Sequence, residues 1–199
     1  MISAIVLGAG LSQRMGALKQ LLPYGDHTVI EQVVSVLLAC PIDDVVVVLG
    51  HRHTEIADVL SSWRVRLTVN PRYAEGMLAS LQQGWSAASP AADAVMHVLG
   101  DQPHLDQRVV RQLIDAYREG DGGILAPTFD GRRGHPILLD ARYRAEILAL
   151  RDGATMRDVL RRHAAEVRQV EVETDGILRD MDTWSEYERE LKYRQFVAA

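Results

Sequence analysis

Residues 7–19 read Leu7-Gly8-Ala9-Gly10-Leu11-Ser12-Gln13-Arg14-Met15-Gly16-Ala17-Leu18-Lys19, directly after the apolar run Ile2 to Leu7. The apolar run has the length and composition of a buried strand. The stretch after it carries three glycines, Gly8, Gly10 and Gly16, and two cations, Arg14 and Lys19. A strand opening into a glycine-rich, cationic loop is suited to holding polyphosphate. Glycine lets the backbone approach the ligand, while N–H groups and fixed positive charge face the anion. Two common phosphate loops do not fit. The dinucleotide fingerprint Gly-x-Gly-x-x-Gly is met at Gly8 and Gly10 but fails at Gln13. The pattern Gly-x-x-x-x-Gly-Lys-Ser/Thr fails because Gly10 and Gly16 are one residue too far apart and Ala17 stands where lysine is required.

The same alternation of apolar runs and turns continues outward from this loop. Strands are expected at 2–7, 44–49, 65–69, 94–99, 123–127, 136–139 and 167–172. Val45 to Leu49 is apolar throughout, as suits a central parallel strand covered on both faces. Val29, Ile30, Val33, Val34, Leu37 and Leu38 repeat at helical spacing, and 54–60, 77–88 and 106–118 continue the pattern. Strand–helix–strand order predicts a single-domain, three-layer, Rossmann-like α/β fold: a mostly parallel sheet with helices on both faces, over residues 1–199. In such sheets ligands bind beyond the carboxyl ends of the strands. The charged segment 141–163, with Arg142, Arg144, Asp152 and Arg157 among its charges, reads as two exposed amphipathic helices.

Composition limits the function classes. The net charge is −5, from 22 basic and 27 acidic residues, so no basic field favours nucleic acid. Positive charge for an anionic ligand must therefore be concentrated locally. Cys40 is the only cysteine, which excludes an internal disulfide and argues against a cysteine-based zinc site. No apolar run approaches membrane-spanning length, and Ile2 to Leu7 is too short and lacks the basic start of a signal peptide, so a cytoplasmic protein is expected. His51 and His53 lack the helical spacing or cysteine partners of a zinc site. No serine sits on a Gly-x-Ser-x-Gly elbow.

Four further constellations carry candidate chemistry. Gly100-Asp101-Gln102-Pro103 follows a strand directly, which lets Asp101 reach a ligand at the sheet edge; a simple turn aspartate is the other reading. Asp180-Met181-Asp182-Thr183 is a second acidic cluster, in which one carboxylate is expected to face the site. Asp182 or Thr183 also suits the N-cap of a helix 184–193, with Glu186 completing a capping box. Asn70 to Leu81 places Gly76 at a helix start, with Ser80 one turn in. Gly131-Arg132-Arg133-Gly134-His135-Pro136 is a cationic turn. There His135 is either a polar ligand or a turn histidine bonded to backbone.

Taken together, Gly-x-Gly-x-Ser-x-Arg-Met-Gly-x-x-Lys, Asn-x-x-x-x-Glu-Gly-Met-x-x-Ser-Leu, Gly-Asp-Gln-Pro, Gly-x-x-Gly-His-Pro and Asp-x-Asp-Thr span Gly8 to Thr183 and resemble the molybdenum cofactor nucleotidyltransferases. The resemblance leans to their cytidylyltransferase branch. Two positions depart from it: Trp184 stands where that family usually has proline, and Gly8 where the branch usually has alanine. The resemblance implies a nucleotidyltransferase-type fold and transfer of CMP from CTP to the terminal phosphate of molybdopterin, releasing pyrophosphate. It implies that Leu7, Gly8, Ala9, Gly10, Ser12, Arg14, Lys19, Asn70, Gly76, Ser80 and Asp101 line the nucleotide site. It places Gln102, Gly134 and His135 toward the acceptor, and Asp101 and Asp182 on Mg2+. Arg14, Lys19 and Asp101 would carry the catalysis, and a molybdoenzyme would receive the product. Guanylyl transfer, another phosphorylated acceptor and a non-catalytic cofactor carrier are the alternatives.

Overall fold

The computed structural model describes residues 1–12, 14–120, 122–151 and 153–197. Gln13 and Asp152, used above, lie outside the described residues. The strands are β1 (Ile2–Leu7), β2 (Pro23–Tyr24), β3 (His27–Thr28), β4 (Asp44–Leu49), β5 (Arg66–Val69), β6 (Ala94–Leu99), β7 (Ile124–Phe129), β8 (Arg132–Arg133), β9 (Ile137–Asp140) and β10 (Val167–Glu171). The α-helices are α1 (Val29–Leu38), α2 (His53–Val59), α3 (Met77–Ala87), α4 (Gln107–Arg118), α5 (Arg144–Leu148), α6 (Met156–Arg162) and α7 (Trp184–Val197).

The main sheet runs β5–β4–β1–β6–β9–β7–β10, with β8 paired to β7. The neighbours from β5 to β6 are parallel, whereas β9 is antiparallel to both β6 and β7. The reversal has a simple cause. No helix separates β7 from β9, and a parallel return needs a crossover connection. β2 and β3 form a separate two-stranded hairpin, which the apolar pattern did not reveal because four residues around a two-residue turn carry no period.

The pleat of β1 sorts the core into two layers. Ile2, Ala4 and Val6 pack with Ile30, Val33 and Leu37 of α1, Ile56 of α2 and Leu113 of α4. Ile5 points the other way, onto Leu81 and Trp85 of α3, with Ile147 of α5 and Val159 of α6 in the same layer. In the charged segment 141–163, α5 and α6 are short helices whose buried residues are Ile147 and Val159. Cys40 is a free, buried thiol. No helix among the described residues is long and apolar enough to cross a membrane.

The chain builds β1, β4 and β5 to one side and then crosses to β6 on the other. The switch of direction falls between β1 and β6, and a crevice at their carboxyl ends follows from it. Gly8 donates to the carbonyl of Val48 and Gly100 to that of Leu7, so the loops after β1 and β6 leave the sheet side by side.

Two stability predictions follow from this packing. α3 lies against β1 at Gly84, where an added Cβ would strike Ile5. Gly84→Ala should therefore cost about 1–3 kcal/mol in urea unfolding, as overpacking does; an unchanged midpoint would contradict the contact. His163 lies between Glu166 (Nδ1 to Oε1, 2.8 Å) and Glu146 (Nε2 to Oε2, 2.7 Å). Its bonds to Glu166 and then Glu146 raise its pKa above the ordinary 6.5. The clasp therefore stabilises fully below that value and is lost as pH rises through the folded-state pKa. The stability gap between wild type and His163→Gln should shrink between about pH 5.5 and about pH 8.5, and a gap that widens would be the opposite sign.

Candidate active site

A cleft of about 520 Å³ opens at the switch point. Leu7, Ala9, Gly10, Ser12, Arg14, Lys19, Gly76, Ser80, Asp101 and Asp182 line it, all of them residues singled out in the sequence. Four elements bring them together: the loops after β1 and β6, the start of α3, and the strap that precedes α7.

Lys19 sits at the centre. It is 8% exposed, and its ammonium contacts the Asp101 carboxylate and lies 2.8 Å from Asp182 Oδ1. Burial works against its charge, but the attraction of Asp101 and then Asp182 outweighs burial, and its pKa is raised. The bond to Lys19 in turn holds the Asp182 carboxyl below its ordinary range, with Arg14 assisting. Arg14 reaches the other Asp182 oxygen at 2.8 Å while remaining largely exposed.

Ser12 adopts φ 49, a left-handed conformation that a non-glycine residue rarely takes. Its hydroxyl accepts from the Lys19 backbone N–H at 3.2 Å and donates to Gln20 Oε1 at 3.3 Å. The strained residue thus folds the loop back so that Lys19 points inward. At the far wall, Gly76 turns at φ 112 into α3, whose free N–H groups and dipole face the cleft.

The strap corrects one sequence expectation. Asp180 and Asp182 both line the cleft. Residues i and i+2 of an extended segment share a face, and the intervening Met181 is fully buried on the opposite side with Met15, Tyr24, Val29 and Tyr187. The capping question resolves into two residues. Thr183 is the N-cap, with Thr183 Oγ1 accepting from the Glu186 N–H and Glu186 accepting from the Asp182 and Thr183 N–H groups. The Asp182 carboxylate is left to the site. Trp184 Nε1 donates to the Met15 carbonyl at 3.0 Å, so the residue that departs from the resembled pattern braces the first loop.

Several candidates stand behind the wall instead of in it. Asn70 is buried and donates to Ser80 Oγ at 3.0 Å, fixing the hydroxyl that does line the cleft. Gly8 serves the β1–β4 pairing. Gln102 is buried and donates to the Arg179 carbonyl. Gly134 packs so tightly on Ile177 that a side chain has no room, and His135 donates its N–H to the same residue's carbonyl. The His135 ring stacks edge-on against buried His97, 5.6 Å away. Burial lowers its pKa, against the pull of Asp180 and Asp101. Sequence reasoning missed Leu11, Gln20, Tyr73, Ala74, Met77, Leu99 and Asp180 in the lining. The two-residue spacing to Asp182 was a signal for Asp180. Gln20 belongs to no motif.

The charge balance has a chemical consequence. Two cations, Arg14 and Lys19, face three carboxylates, Asp101, Asp180 and Asp182, so the lining has one excess negative charge. A bare polyphosphate would be repelled. Both Asp101 and Asp182 nevertheless converge on one point, the Lys19 ammonium, which demonstrates that they can share a cation. Among the described residues no three His, Cys, Asp or Glu side chains form a metal cage by themselves. A divalent ion here would complete its shell with phosphate and water oxygens, as Mg2+ commonly does.

Known proteins resemble the chain over almost its whole length. The chain is 29% identical over 184 residues to the molybdenum cofactor cytidylyltransferase of Escherichia coli K12, covering 92% of this chain and 91% of that protein. It is also 29% identical to nicotine blue oxidoreductase of Paenarthrobacter nicotinovorans, over 92% of each chain. A Mycobacterium tuberculosis H37Rv protein whose crystal structure is a complex with manganese superimposes with a TM-score of 0.82 at 26% identity, covering 96% of this chain and 98% of that one. Residues 4–167 match the family of MobA-like NTP transferase domains, and the chain belongs to that family.

Proposed function

We propose that this chain, as one nucleotidyltransferase unit, transfers CMP from CTP to the terminal phosphate of molybdopterin and releases pyrophosphate, with Mg2+ as cofactor. The observation that carries the reading is the shared position of Asp101 and Asp182 around a single cation in a cleft whose lining is otherwise too negative for a nucleotide. The donors fit a hard divalent ion, and Asp101 and Asp182 would hold it. When bound, it would neutralise the triphosphate and polarise the α-phosphate.

The residues then have distinct work. Ala9, Gly10 and Ser12 border the triphosphate, and the N-terminus of α3 adds partial positive charge opposite them. Lys19 and Arg14 stabilise charge as the bond from the α-phosphorus to the β-phosphate oxygen breaks and pyrophosphate departs. The acceptor phosphate has a second pKa of about 6 and is already largely ionised at neutral pH. No side chain has to remove its proton. Gln102, Gly134 and His135 stand on the acceptor side, where they shape the wall through the strap. A cytoplasmic molybdoenzyme would receive the product.

The oxidoreductase relative makes reduction the competing reading. The first loop favours transfer, because its dinucleotide fingerprint fails at Gln13 while its two cations, Arg14 and Lys19, suit a triphosphate.

Pyrophosphate release should be measured with molybdopterin as acceptor and CTP, GTP, ATP and UTP in turn. CTP should be preferred. Release with another triphosphate only would move the base assignment, and release with none, alongside NAD(P)H oxidation, would favour the competing reading. Asp101→Asn should lower kcat by about a hundredfold or more, the loss expected for about 3 kcal/mol of transition-state stabilisation, with circular dichroism unchanged. Turnover near the wild-type rate in that variant would remove Asp101 from the site.

A further inference from the structure

The helix α7 carries a buried carboxylate that the reaction itself does not use. Glu190 is fully buried. Its Oε2 lies 3.0 Å from His104 Nδ1 and 3.6 Å from an Arg179 Nη, and its Oε1 lies 3.6 Å from Arg189 Nε. The His104 side chain is 2% exposed, and the Arg179 guanidinium stacks 4.0 Å above the Tyr193 ring. Burial opposes the charge of Glu190, but His104 and then Arg179 and Arg189 outweigh it and keep the carboxyl ionised. These contacts are close in distance without being well-aligned hydrogen bonds. A buried ionic cluster of this kind is a poor stabiliser compared with apolar packing, so its stabilising effect alone does not account for it.

Its location does account for it. His104 follows Asp101 by three residues, in the loop after β6. Arg179 immediately precedes Asp180 and stands three residues before Asp182, in the strap. Glu190 therefore holds one residue from each of the two acid-bearing segments. Gln102 Nε2 ties the same two segments a second time at the Arg179 carbonyl, and Gly176 of the strap packs at the His104 carbonyl. Arg179, the strap acids and Glu190 all lie beyond residues 4–167, which match the family.

We infer that Glu190 is a positioning residue: through His104 and Arg179 it sets the spacing between Asp101 and Asp182, and so the affinity of the cleft for a divalent cation. The inference rests on the transferase reading above. Outer partners that orient metal ligands typically change metal affinity by about ten- to a hundredfold when removed.

The test uses the full chain and Mn2+ as the probe, with α,β-methylene-CTP present, read by electron paramagnetic resonance. Glu190→Gln keeps the shape and removes the charge. Its Mn2+ dissociation constant should rise about tenfold or more, and the metal concentration for half-maximal rate should rise with it. Ile114→Val, in the core of α4, controls for stability: its melting temperature should fall while Mn2+ affinity stays at the wild-type value. If Glu190→Gln does not fold, His104→Gln probes the same link and should weaken Mn2+ in the same way. Wild-type Mn2+ affinity in a folded Glu190→Gln or His104→Gln chain, or an equal loss in Ile114→Val, overturns the inference while the transferase reading stands. Absence of Mn2+ binding by the wild type overturns both.

Discussion

The ammonium of Lys19 is the point on which the site depends. It is nearly buried, and the attraction of Asp101 and then Asp182 outweighs the burial that opposes its charge. Those two carboxylates come from distant parts of the chain, one after β6 and one before α7, and would repel each other without a cation between them. A metal–nucleotide complex can take over both roles at once. The metal would satisfy the carboxylates, and the phosphates would satisfy the lysine. The cleft is thus balanced for exchange of one set of counter-charges for another, and a bare polyphosphate brings only half of the set.

The fold supplies this arrangement through three constraints. The parallel strands β4, β1 and β6 bring the first loop and the Asp101 loop to one edge. The left-handed turn at Ser12 aims Lys19 inward. Helix α7 braces the first loop and the strap from behind the cleft wall. Its Trp184 holds Met15, its Tyr187 hydroxyl donates to the Pro23 carbonyl, and Met181 beside it joins the same apolar cluster. Helix α7 is therefore part of the frame around the cleft, although none of its described residues is in the lining.

Much of this was legible in the chain itself. The run Ile2 to Leu7 and the all-apolar Val45 to Leu49 announced a parallel sheet through composition alone, and the glycines and cations of the loop Gly8 to Lys19 marked one wall of the cleft. What escaped was conformational or long-range. Residues of β9 are as apolar as those of a parallel strand, and only the absence of a crossover helix makes it antiparallel. Asp180 was assigned away from the cleft although two-residue spacing puts it on the same face as Asp182. Gln20 reaches the cleft because the first loop doubles back, which no local pattern encodes. Asn70, Gly134 and Gln102 carry motif positions yet support the wall from behind, since a sequence pattern records that a residue type matters without recording which neighbour it serves.

The most direct test of the central claim is a crystal structure of the chain with Mn2+ and α,β-methylene-CTP, with the metal located by its anomalous signal. A peak is expected between the Asp101 and Asp182 carboxylates, with the Lys19 ammonium moved from them onto the phosphates. A peak elsewhere, or Lys19 still bridging the two carboxylates with nucleotide bound, would contradict the claim.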